Sequence, residues 1–236
     1  MESKKLFVWL KVCFVFFLLN SCEAPPVVVP PDDPPVVEPE PIKFIAGYLN
    51  IQDAEIIKAY CILSDTSEEV IASSEFDNGN FKLLLPDSLD DKGLYNAGES
   101  DEYIELSCSD ARGACISYME VYRSPYGALP YRIGQVFYGR YFEIRNTPTE
   151  YYSHKVNKMW YYADKDVTRK GTRNRQGIII DIIDLSLKKG WNEAYWEEIL
   201  EVNRQTGAYT WTTTYTTTKS ERYEGLEWYI WDETLW

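Results

Sequence analysis

The chain of 236 residues carries 37 acidic against 24 basic side chains and one histidine, a formal charge of −13 at pH 7. A surface this acidic does not track a phosphate backbone, and no basic cluster offsets it, so nucleic acid is excluded as a partner and electrostatic attraction to anionic lipid with it. With one histidine, multi-histidine metal sites are excluded, and any Ser-His-Asp arrangement rests on His154 alone.

Residues 1–21 read as a removable targeting segment, with Lys4 and Lys5 ahead of an apolar run from Leu6 to Leu19. Lys11 breaks that run, which falls short of the roughly 20 residues a membrane-spanning helix needs. The segment ends Leu19-Asn20-Ser21-Cys22 and resembles a bacterial lipoprotein signal, in which the cysteine thiol takes a diacylglycerol. That resemblance implies lipidation at Cys22 and a membrane reached through the lipid.

Residues 22–42 form a linker, with eight of the chain's twelve prolines, five acidic residues and no basic one. Proline fixes its own φ and biases the residue before it toward extended backbone, so the stretch is expected to be a semi-rigid polyproline II spacer. Loss of Glu2, Lys4, Lys5 and Lys11 with the signal makes the formal charge −15, and setting the linker acids aside leaves −10 for residues 43–236.

From Lys43 onward short β-like runs alternate with turn signals. Phe44–Leu49, Ile57–Leu63, Val70–Phe76 and Phe81–Leu85 come first, the last two joined by Asp77-Asn78-Gly79-Asn80, a strong hairpin signal because Asn-Gly accepts the positive φ of a tight turn. Further strands are expected near 103–107, 114–122 and 132–142. After residue 150 the candidates are 155–163, 177–187, 199–204, 209–218 and 223–231. Residues 192–202 have spacing that also fits a helix, with strand preferred because Gln205-Thr206-Gly207 reads as a hairpin turn. In 177–187 the apolar parity changes from Ile178, Ile180 and Ile182 to Ile183, Leu185 and Leu187, which calls for two buried faces or a bulge near Ile182.

This spacing predicts an all-β, antiparallel sandwich. Every tryptophan beyond the signal lies at or after Trp160. That asymmetry suggests two small β lobes, 43–148 and 149–236, with a single sandwich as the alternative.

Ile45–Leu85, with Gly47, the Asp77-Asn78-Gly79-Asn80-Phe81-Lys82-Leu83 run and Pro86, resembles the start of a prealbumin-like or carboxypeptidase-regulatory-like β domain. Leu187-Lys188-Lys189-Gly190-Trp191-Asn192, with Trp160–Thr168 before it and Gly225-Leu226-Glu227-Trp228-Tyr229 after it, is similar to uncharacterised lipoproteins of gut-commensal Gram-negative bacteria. The resemblance implies a cell-envelope location, on the periplasmic or surface face of the outer membrane, and a β-rich fold. It carries over no catalytic residue.

Candidate chemistry is sparse. His154 sits in a polar Tyr-Tyr-Ser-His-Lys run read as a solvated loop, and no nucleophile elbow or zinc spacing occurs. Asp164 with Asp166, and Asp181 with Asp184, are the carboxylate pairs worth placing, with plain turns as the simpler reading. Cys61 alternates with Ile57, Ala59 and Leu63 and reads as a small buried hydrophobe. Cys108 and Cys115 are a possible disulfide in an oxidising compartment. On 209–217 the aromatic face of Tyr209, Trp211 and Tyr215 is expected inward and the threonine face toward water. In the last strand Leu226, Trp228 and Ile230 should point inward, leaving Tyr229 and Trp231, with Trp236, as candidate binding aromatics. The expectation is therefore a lipid-anchored, non-enzymatic interaction or assembly module with no metal or cofactor. A carbohydrate-binding lipoprotein is the alternative, and a hydrolase a distant third.

Overall fold

The structure is a computed structural model and describes residues 41–62, 68–90, 94–96, 103–123, 131–175 and 178–231. Cys22 and Trp236 lie outside the described residues. The described chain is all-β, a sandwich-like arrangement of one small and one large sheet.

The small sheet is a ribbon of β1 (Phe44–Tyr48) and β4 (Asn80–Leu84), paired antiparallel from Phe44↔Leu84 to Tyr48↔Asn80. The large sheet begins with β3 (Glu68–Glu75), β2 (Ile56–Ile62), β7 (Arg112–Arg123), β8 (Tyr131–Asn146) and β9 (Glu150–Ala163). It continues through β12 (Gly190–Asn203), β13 (Tyr209–Thr216), β11 (Ile179–Leu187), β10 (Val167–Arg175) and β6 (Ile104–Leu106). Two short strands sit off this path, β5 (Tyr95–Asn96) on β7 and β14 (Glu227–Trp231) on β8. Every pairing is antiparallel except β11 with β13.

The main core lies between ribbon and sheet because both follow the period of two. Ile45, Phe81 and Leu83 face Ile57, Ala59 and Cys61 of β2 and Ala114, Ile116, Met119 and Val121 of β7. Cys61 is fully buried there, and burial pushes its thiol up to about 12. Trp228 of β14 closes one side: it stacks on Trp160 at 6.0 Å and meets Phe81 edge-on at 5.0 Å. A Cβ at Gly47 would fall 2.0 Å from the Trp228 ring nitrogen, so the ribbon reaches this indole only because residue 47 has no side chain.

Three expectations are corrected. Asp77-Asn78-Gly79-Asn80 does form the tight turn, with Asn78 at φ 52° and Gly79 at 83°. The strands it joins are not hairpin partners, however: β3 pairs with β2 and β4 with β1, so the turn carries the chain from one layer to the other. The division near residue 148 is not a boundary between lobes. It falls in the β8–β9 turn, where the Thr147 N–H donates to Glu150 O at 2.9 Å, and the described residues on both sides of it belong to one compact unit. Nor does the spacer reach residue 42: Ile42 packs on the core, and its N–H donates to Trp191 O at 3.0 Å.

Candidate functional site

A short connection shapes the second half of the sheet. β9 and β10 are four strand spacings apart, about 19 Å if the sheet were flat. Only Asp164, Lys165 and Asp166 join them, and the step from Ala163 to Val167 spans at most about 14 Å. The strands β9-β12-β13-β11-β10 must therefore curl toward a tube at that end. Asp166 straps the curl: its carboxylate accepts from the Lys189 N–H at 2.8 Å and from Lys188 Nζ at 3.1 Å, which holds the acid below the usual carboxylate range. Asp164 accepts from the Arg112 N–H at 2.7 Å and brings β7 to the same place.

The inner face of this curl holds a cleft of about 460 Å³. Alternation places Met159 and Tyr161 of β9, Trp196 of β12, Tyr215 of β13, Leu185 and Leu187 of β11, and Arg169 of β10 on that face. Cys115 pairs opposite Tyr161 and lines it from β7. The size and the largely apolar wall are those of small-molecule sites. Burial pushes both the Tyr161 phenol and the Cys115 thiol up, so Cys115 stays a neutral thiol and is a poor nucleophile.

Two of the residues that line the cleft each carry a buried nitrogen left over. Arg169 Nε and Trp196 Nε1 are buried and have no hydrogen-bond partner. An unpaired buried donor costs about 1–3 kcal/mol, so native structures seldom carry one without a reason. No aspartate or glutamate is among the described residues lining the cleft, whereas Arg112 joins Arg169 there.

The sequence-predicted residues lie elsewhere. Tyr229 is not a free binding aromatic: its hydroxyl donates to Asn157 Oδ1 at 2.7 Å, its ring stacks on Phe137 at 5.6 Å, and burial pushes the phenol up. Trp231 is placed only as the backbone partner of Gln135. Cys108 and Cys115 are not bonded to each other. The Cys108 thiol donates to Asp110 at 3.0 Å, and Cys115 sits inside the cleft. His154 is not in a loop but in β9, where it contacts the buried Glu197 carboxylate at 2.8 Å and stacks on Phe142. Arg222 and the Tyr223 hydroxyl reach the same carboxylate. Asp181 and Asp184 point to opposite faces of β11, Asp181 toward Arg173 and Arg175 and Asp184 toward Lys170.

On β13 the expectation fails at one end: Tyr209 and Trp211, on the face expected inward, are 45% and 39% exposed. On the threonine face Thr216 is buried. Tyr209 borders a groove of about 420 Å³ at the far end of β9 and β12, lined also by Glu150, Tyr151, Tyr152, Glu201 and Asn203. No family model, curated protein or solved structure matches the chain.

Proposed function

We propose that the chain is a lipid-tethered ligand-binding protein of the cell envelope, non-catalytic, which holds a small apolar-bodied molecule inside the curled sheet. The observation that carries this reading is the cleft of about 460 Å³ with buried, unpartnered donors in its wall. Rigid strands supply most of that wall, which suits a preformed binding site. The tether part of the reading is supported by Leu19-Asn20-Ser21-Cys22 and the proline-rich spacer.

Titration with the neutral dye N-phenyl-1-naphthylamine tests the cleft. One saturable site per chain is expected, lost when Met159→Trp fills the wall; non-saturable uptake, or uptake indifferent to Met159→Trp, refutes it. Metabolic labelling with a fatty acid tests the tether, and label retained in Cys22→Ser would refute that.

Glycan binding is the second reading. It is supported by the groove at the other end of β9, where exposed Tyr209 stands beside carboxylates and an amide, the donor and acceptor mixture sugars need. A glycan array gives hits that Tyr209→Ala abolishes if this groove is used, and stays blank if it is not.

A further inference from the structure

We infer that the ligand of the cleft is an amphipathic carboxylate, its apolar body lying along Met159, Leu185 and Tyr215 and its head group accepting hydrogen bonds from Arg169 Nε and Trp196 Nε1. This rests on the reading of the cleft as a binding site and adds the chemistry of what binds.

Both unpaired polar atoms are donors, so the missing partner is an acceptor. One of them belongs to a guanidinium, whose fork matches a carboxylate and whose bond to an ionised oxygen is stronger than to a neutral one. No carboxylate among the described residues lining the cleft competes for it. A sugar fits poorly, because its hydroxyls also need acceptors and this wall offers two orphan donors among apolar and aromatic groups. A purely apolar guest fits poorly too: it would leave Arg169 Nε and Trp196 Nε1 desolvated and unpaired. The curl keeps water scarce around these donors, which strengthens each bond to a bound anion.

The arrangement was absent from any motif because its parts come from different strands. Arg169 is on β10, three strands away from the Trp196 of β12, and the curl closed by Asp164–Asp166 brings them to one wall.

The test uses the full chain carrying Cys22→Ser, which prevents acylation. Calorimetric titrations compare dodecanoate with dodecan-1-ol, which keeps the tail and loses the charge. Dodecanoate should bind one per chain and about tenfold or more tighter than the alcohol. Arg169→Met should remove that advantage and leave the alcohol within about twofold, and Trp196→Phe should weaken dodecanoate selectively. Circular dichroism checks each variant; should Arg169→Met fail to fold, the wild-type head-group comparison and Trp196→Phe decide alone. Equal affinity for acid and alcohol, or dodecanoate binding untouched in both variants, overturns the carboxylate while the dye result still stands for the cleft. Loss of dye binding as well overturns the binding reading itself.

Discussion

At the scale of single residues, a side chain that looks available for binding can be one the fold uses to satisfy itself. Tyr229 is the clearest instance. Its hydroxyl donates to Asn157, which is 3% exposed, so removing that hydroxyl strands a buried acceptor. Tyr229→Phe should therefore cost about 1–3 kcal/mol in chemical denaturation and leave the dye titration of the cleft unchanged. An unaltered midpoint would show that water replaces the hydroxyl. Gly47 makes the complementary point, because its neighbour is rigid. A methyl group there meets the Trp228 indole at 2.0 Å, and that indole is already held by Trp160, Phe81 and Tyr138. Gly47→Ala should destabilise by about 1–3 kcal/mol, read from the same denaturation curves, because no partner of Trp228 can move aside without opening the core.

At the scale of elements, strands with one wet face were legible and strands with unusual inner faces were not. β2, β4 and β7 alternate apolar and polar residues, and the structure keeps them near their expected bounds. β10 has no such signature. Val167-Thr168-Arg169-Lys170-Gly171-Thr172-Arg173-Asn174-Arg175 is polar on both faces, because its inner residues after Val167 are arginines and a glycine. The one available signal was the shared parity of Arg169, Arg173 and Arg175. β13 misled for a related reason: its aromatics face the open end of the curl at Tyr209 and the closed end at Tyr215, so one face is both wet and buried. The Asn78-Gly79 turn was legible as local geometry, while the separation of its strands into two layers depends on distant pairings. Gly79→Val tests the local part. Residue 79 sits at φ 83°, and a Cβ there would lie 2.7 Å from the Tyr48 ring, so the substitution should cost about 1–3 kcal/mol. Thermal unfolding of Gly79→Val indistinguishable from the parent would mean that the crossing between layers tolerates another turn.

For the whole molecule, the balance of titrating groups sets where the fold should fail. On the acid side the depressed carboxyls are exposed: Lys165 holds Asp110 down to about 2, and Lys189 and Lys188 hold Asp166 down. Their contribution is present above the unfolded carboxylate range and fades as pH falls through the folded values, but solvent screening keeps it small. The alkaline side is different in kind. Burial raises the phenols of Tyr60, Tyr118, Tyr122, Tyr161, Tyr195, Tyr215, Tyr223 and Tyr229, and raises the thiols of Cys61 (to about 12) and Cys115. A raised folded value means the fold prefers the neutral form. Stability from these groups is complete below their unfolded values, about 8.5 for cysteine and about 10 for tyrosine, and is lost as pH climbs toward the folded ones. The melting temperature should accordingly be flat near neutrality and fall steeply above about pH 9 to 10. Because many groups act together, the slope there should exceed that on the acid side. Absorbance at the tyrosinate band, followed alongside circular dichroism, distinguishes the causes. Tyrosinate should appear in step with loss of the β signal. If most tyrosines instead titrate near pH 10 while the sheet persists, the phenols are not held by the packing described, and the interior of the curl is open to hydroxide and to water.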